Sequence, residues 1–134
     1  MTKSFKELLA WQYAHTFVLS VYDKTGTFPD FEKFGLRSQF TRAAVSIPAN
    51  IAEGYKKVSK ADKLRFLNIA QGSLEECRYY VLLSKDLKYI SEQDYTLLND
   101  SLEKTSWYLN AYSDGIIKNN ALKTFFSSLL SFVI

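Results

Sequence analysis

The residues able to do chemistry in this chain are few, and their spacing keeps them apart. There is one histidine, His15, and one cysteine, Cys77. Position 12, three residues before His15, is Gln12, so the Glu-x-x-His pairs that hold a di-iron centre inside a helical bundle are missing. A zinc site needs clustered Cys and His, which the composition does not supply. Cys77 falls in the apolar repeat of a helix, where a thiol behaves as a small hydrophobe. Ser46 and Ser73 have no histidine base, and neither a Gly-rich phosphate loop nor a nucleophile elbow occurs. Glu75 and Glu76 are neighbours, but adjacent helical positions point about 100° apart and do not form a shared acid/base pair. These residues predict no catalytic group, no cofactor and no metal, and so no enzyme.

The richest pattern is polar but not catalytic. Gln39, Arg42, Ser46, Asn50, Glu53 and Lys57 step by three or four and share one helical face. Phe40, Ala43, Ala44, Ile47 and Ile51 take the other face. Pro48 lacks an N–H and crowds the carbonyl four residues back, which predicts a kink. Three readings of the stripe compete: plain solvated surface, a buried polar network, or a subunit interface. The small residues Ala43, Ala49 and Ala52 favour close approach and an interface for Arg42, Asn50 and Glu53, with a buried network next. Arg42 lies 16 residues before the turn at Val58 and Glu76 lies 18 after it, so on antiparallel helices the two stand at similar height. A buried Arg needs a carboxylate, which makes Glu76 its expected partner.

Charge is unevenly spread. Between Lys33 and Arg65 stand eight bases against Glu53 and Asp62, a surplus of six, while the rest of the chain is net negative by three. Such a concentration attracts polyanions although the whole chain carries only +3. Arg37, Lys56, Lys57, Lys60 and Lys63 are the expected phosphate contacts, and a solvated helical hairpin is the plainer alternative. Tyr55, Phe66, Tyr79, Tyr80, Tyr89, Trp107 and Tyr108 lie outside the main apolar repeats. They suit stacking on single-stranded bases, or, more ordinarily, packing against neighbouring subunits.

The elements that position these groups are helices. Hydrophobic residues make up 47% of the chain, with only 5 Gly and 2 Pro, too few turn residues for a sheet-rich fold. The first helix is predicted over Lys6–Thr25, with Leu8, Trp11, Ala14, Val18 and Val21 as its stripe. Asp30 is the expected cap of a second helix running to Lys57. A third, capped by Ser59 or Asp62, reaches Leu87 with Leu67, Ala70, Leu74, Cys77, Val81 and Ser84 inward. Ser91 to Asp94 reads as a capping box for a fourth, whose Tyr95, Leu98, Leu102, Thr105, Leu109, Tyr112 and Ile116 keep a heptad. Short connections predict an all-α, antiparallel up-down-up-down four-helix bundle over residues 1–118.

Residues 119–134 form a separate apolar tail, in which Leu122, Phe125, Phe126, Leu129, Leu130 and Val133 lie at helical spacing. It is too short to span a bilayer, which takes about 20 residues, and has no basic face for anionic lipid. Packing on the bundle or on a neighbouring subunit is expected. With a single cysteine and no apolar leader after Met1, a reducing cytoplasmic setting is the expectation.

Arg42 to Gly54, Phe34 to Gln39 before it, Gly72-Ser73-Leu74-Glu75-Glu76 after it, and Trp11-Gln12 with Ala14 and Phe28-Pro29 resemble the four-helix-bundle proteins encoded in intervening sequences of bacterial 23S ribosomal RNA genes. The resemblance spans residues 5 to 118. It implies a left-handed bundle assembling as a ring, a pentamer, with a role at RNA. A similar fold serves as an accessory subunit of reverse transcriptases. Together these readings predict a non-enzymatic, homo-oligomeric RNA-associated binding or assembly protein, with a protein-binding adaptor as the alternative.

Overall fold

The computed structural model describes residues 3–133, the side chains of 120–124, 132 and 133 excepted. The described residues are all helix and connecting turns. Four α-helices follow one another: α1 (Leu9–Thr25), α2 (Leu36–Lys56), α3 (Lys60–Asp86) and α4 (Glu92–Val133), with single 3-10 turns at Phe5–Glu7 and Asp30–Glu32.

Serine caps set the starts of α3 and α4, whereas the starts of α1 and α2 have no capping N-cap side chain and differ from expectation. Ser4 accepts the Lys6 N–H and supports its own short turn, and Leu8 is extended, so α1 begins at Leu9 rather than Lys6. Asp30 opens a separate 3-10 turn, and α2 begins only at Leu36, after Gly35. There the Glu32 carboxylate accepts the Leu36 N–H at 3.2 Å, filling one of the unpaired donors of a helix start. The other two starts follow the sequence. Ser59 accepts the Asp62 N–H at 3.1 Å, and Ser91 accepts the Asp94 N–H at 3.0 Å. Asp94 does not complete the reciprocal box. Its carboxylate instead holds Lys24 of α1 at 3.0 Å, and that bond raises the Lys24 pKa above its ordinary value.

Helix α3 ends with Lys88 in the left-handed region at φ 64°. The Tyr89 N–H reaches the Ser84 carbonyl and the Lys88 N–H the Lys85 carbonyl, each at 2.9 Å. This double closure is the Schellman arrangement, and it places a lysine where glycine costs least.

Each helix packs on two others: α1 on α2 and α4, α3 on α2 and α4. Contacts run in opposite chain directions: Ser46 meets Ser73 while Gln39 meets Tyr80, and Tyr13 meets Tyr108 while Lys24 meets Asp94. The α3 series Leu67, Ala70, Leu74, Cys77, Val81 and Ser84 is buried throughout, as are Leu98, Leu102, Thr105 and Leu109 of α4. Buried hydroxyls are satisfied within their own helices: Ser84 donates to the Tyr80 carbonyl at 2.7 Å and Thr105 to the Ser101 carbonyl at 2.9 Å. On α1 the buried set is Ala10, Ala14, Phe17, Val18, Val21 and Thr25, with Leu8 and Trp11 half-buried at its edge.

Helix α4 has 42 residues against 27 in α3, so it outruns its neighbours. It crosses residues 118 and 119 without interruption, and the expected boundary between bundle and tail is not a break in secondary structure. Phe125, Phe126, Leu129 and Leu130 are exposed, which excludes packing on the chain's own helices at these positions. Leu122 and Val133 lie outside the described side chains. Among the described residues no helix is long and apolar enough to cross a membrane.

Candidate functional site

The α2–α3 turn is tight because Gly54 permits it. A Cβ at Gly54 would stand 3.1 Å from the Phe66 Cβ and 3.3 Å from the Lys63 carbonyl, so a side chain would push α3 away. Lys63 then closes the hairpin. Its ammonium donates to the Tyr55 carbonyl at 2.6 Å and lies 3.4 Å from the Gly54 carbonyl, at the negative end of α2. Lys63 is therefore half-buried and committed to the last turn of α2, which differs from the phosphate-contact role its charge suggests.

The exposed cations of the hairpin are Lys56, Lys57 and Arg65. Lys57 lies 5.0 Å from the centroid of the half-buried Phe66 ring and Arg65 4.8 Å from it, so one aromatic side chain gathers two positive charges. Arg65 also approaches Asp62 at 3.9 Å. Lys60 opens α3 and is half-buried. Arg37 is exposed but sits in the first turn of α2, 19 residues before Lys56 or roughly 29 Å along the axis, and does not join this cluster. Arg65 counted only toward the regional charge in the sequence. Its place beside Phe66 at the following position is the signal that marks it.

The polar stripe of α2 faces α3 along part of its length. Ser73 donates to the Ser46 hydroxyl at 2.8 Å, and the Asn50 amide donates to the Ser46 carbonyl at 2.8 Å and its hydroxyl at 3.0 Å. Lower on the same seam the Tyr80 hydroxyl stands 3.0 Å from Glu76 Oε2 and 3.1 Å from Gln39 Oε1, one proton serving two acceptors. Burial and the hydrogen bond that Tyr80 donates to the neighbouring Glu76 carboxylate raise the Tyr80 pKa. Ser46, Asn50 and Ser73 are half-buried, so the centre of the stripe is an intramolecular network.

Arg42 and Glu53 do not belong to that network. Both are exposed, and among the described residues no ion pair joins Arg42 to Glu76. The height reckoning was sound, since residues 39 and 80 and residues 46 and 73 bracket positions 42 and 76. Azimuth decides the matter: Arg42 faces water and Glu76 turns toward Tyr80. Cations that do bridge from α3 to α4 are Arg78, which pairs with Glu75 on α3 at 3.1 Å and with Glu103 on α4, and Lys85, which approaches Glu92 at 3.9 Å.

Elsewhere, α1 and α4 border an open groove of ≈ 770 Å³ whose exposed lining is mainly apolar, Leu97 included, with polar atoms from Thr16, Ser20, Asp100, Ser101 and Lys104. The described residues gather no three His, Cys, Asp or Glu side chains. Cys77 is buried, and desolvation raises its thiol pKa far above the ordinary value.

An all-α protein with a polar inter-helix seam and a basic turn is thus defined by its surfaces. The chain belongs to the 23S rRNA-intervening sequence protein family, whose pattern matches residues 6–111. In fold it is similar to a crystal structure, at 1.70 Å resolution, of a protein with unknown function from the S23 ribosomal protein family of Bacteroides thetaiotaomicron. That likeness has a TM-score of 0.72 at 23% identity and covers 79% of this chain and 96% of the other. No curated protein matches the chain.

Proposed function

We propose that this protein is a non-enzymatic, cytoplasmic, RNA-associated binding and assembly module that works as a homo-oligomer, a pentameric ring being the form its family resemblance implies. The opposed directions of the inter-helix contacts support an up-down-up-down four-helix bundle, and Pro48 inside α2 supports a bend there. One observation carries the RNA reading: Lys56, Lys57 and Arg65 stand exposed at one tight hairpin, two of them held over Phe66. Such a cluster meets phosphates without reading bases, so affinity is expected with weak sequence preference. Repetition of the hairpin around an oligomer multiplies a weak contact into useful avidity. Arg37 on each copy adds a second, separate positive point.

The test is binding of a structured RNA by the parent and by the Lys56→Glu, Lys57→Glu, Arg65→Glu variant at several salt concentrations. Loss of binding with an intact helical spectrum supports the assignment. Equal binding by the two proteins removes the hairpin as the site. A protein-adaptor role, such as that of a reverse-transcriptase accessory subunit, is the second reading. The α1/α4 groove favours it, because its apolar lining, set among hydroxyls and charges, suits a polypeptide surface.

A further inference from the structure

Three grooves of the described surface differ in charge. The α1/α4 groove carries Glu92 and Asp100 against Lys104, a balance that repels a phosphodiester. A groove of ≈ 300 Å³ between α1 and α2 has Trp11, Val18, Val45 and Pro48 in its lining and no Lys or Arg. The third, of ≈ 420 Å³ between α3 and α4, is lined by Leu64, Arg65, Asn68, Gln71, Ser113 and Ile117. Arg65 is its one ionisable side chain, and the same residue belongs to the exposed cation cluster of the hairpin. This groove alone is therefore continuous with the proposed phosphate contacts and free of lining acids.

Its lining combines apolar surface with amides. Gln71 Nε2 donates to Asn110 Oδ1 at 2.8 Å and ties the two walls together. Among the described residues that leaves Gln71 Oε1 and at least one Asn110 amide hydrogen unused, and the exposed Asn68 makes no hydrogen bond. The Ser113 hydroxyl on the α4 wall is likewise without a partner among the described residues. One turn further along α4, three residues before Asn110, stands Trp107, 66% exposed and touching Tyr108 in an edge-to-face pair. Beyond it Arg78 is held between Glu75 and Glu103, so the favourable charge ends there. Read from the hairpin outward, the order is a cation, amides that can give or accept, and an open indole.

We infer that a single-stranded stretch of the bound RNA runs from the hairpin along the α3/α4 groove, with Arg65 on a phosphate, Asn68, Gln71 and Asn110 at base edges and one base stacked on Trp107. This rests on the RNA reading of the proposed function and names the form of RNA that the site takes. A duplex offers the hairpin its phosphates, but its bases are paired inward and its major groove is too deep and narrow for side chains to read. An unpaired base has a free apolar face and a free polar edge, which match the indole and the amides. Stacking accepts any base, and amides that both donate and accept suit any edge, in keeping with weak sequence preference. From Arg65 to Gln71 the wall rises about 9 Å along α3, so the strand covers a short path.

The test compares a blunt RNA duplex with a duplex of equal phosphate count that carries a short single-stranded uridine tail, both on full-length protein. The parent is expected to bind the tailed RNA about tenfold more tightly, the scale of one base on an aromatic ring. Trp107→Ala should erase that preference while leaving affinity for the blunt duplex and the helical spectrum unchanged, and Trp107→Phe should keep most of it. Asn68→Ala with Gln71→Ala should reduce the preference several-fold. In the Trp11→Phe variant Trp107 is the remaining tryptophan, and its fluorescence should be quenched by the tailed RNA and not by the blunt one. Equal binding of the two RNAs by the parent overturns the groove and leaves the hairpin standing. Binding of neither at low salt overturns both. A tail preference that survives Trp107→Ala, or an indole that is not quenched, overturns the assignment. So does loss of self-assembly in Trp107→Ala, which would make subunit packing the duty of this side chain.

Discussion

Replacing Lys63 by methionine separates stability from binding, because the structure gives this lysine a different duty from its neighbours. The substitution keeps the apolar stem and removes the ammonium from the Tyr55 and Gly54 carbonyls, 2.6 Å and 3.4 Å away. A hydrogen bond to a charged group contributes about 1.5–3 kcal/mol. The site is half-buried and the released carbonyls can rehydrate, so the low end applies. Loss of the favourable charge at the C-terminal end of α2 adds about 0.3–1 kcal/mol. The expected destabilisation is about 2 kcal/mol, which for a domain of this size lowers Tm by roughly 6–10 °C. Lys57→Met is the control. It removes one cation over Phe66, worth about 0.5–1 kcal/mol at an exposed site, and also removes a proposed phosphate contact. Thermal unfolding by circular dichroism and RNA binding by fluorescence anisotropy read the two effects. Lys63→Met is expected to lower Tm by the larger amount and spare RNA affinity, and Lys57→Met to lower Tm only slightly and weaken RNA binding. An unchanged Tm for Lys63→Met, together with a loss of affinity matching that of Lys57→Met, would refute the capping role.

Other expectations follow from single groups. Lys88→Gly relieves a left-handed side chain at the end of α3 and should stabilise by about 0.5–1 kcal/mol, read as a higher urea midpoint. Tyr80→Phe removes the proton shared by Glu76 and Gln39 and should cost about 0.5–1.5 kcal/mol. Cys77 and Tyr80 both have pKa values raised by burial above their ordinary 9.0 and 10.0. The folded state therefore holds these protons more tightly than the unfolded state does. Their contribution is complete below pH 9 and is lost as pH rises, Cys77 first. Urea midpoints measured upward from pH 8 should fall, and Cys77→Ala should flatten the first part of that fall.

The helices were legible because their apolar spacing is regular. Every member of the α3 series from Leu67 to Ser84 is buried, and hydroxyls at positions 84 and 105 did not disturb the pattern because each bonds its own helix. The ends were less legible. A serine, a carboxylate and a glycine within a few residues offer several caps, and Glu32 rather than Asp30 bonds the first turn of α2. Partner assignments across helices were the least legible. Spacing fixes the height of Arg42 against α3, but its rotation about α2 depends on how closely Ser46 approaches Ser73. Lys63 shows the same limit. Its charge marks it as a phosphate ligand, whereas the carbonyls that bind it become available only once Gly54 lets the two helices close. The apolar helical spacing of the C-terminal segment was legible, but its continuity with α4, which follows from the absence of any breaker beyond Gly115, was not drawn from it.

The central claim is that exposed charge at the α2–α3 hairpin carries RNA binding. Its most direct measurement is the slope of log affinity against log salt for a structured RNA, taken for the parent and for the Lys56→Glu, Lys57→Glu, Arg65→Glu variant. Each phosphate neutralised contributes about 0.7–0.9 to that slope, so loss of three contacts should flatten it by roughly 2–3 where binding is still measurable, and weaken binding most at low salt. Parallel lines of equal affinity for the two proteins would contradict the account.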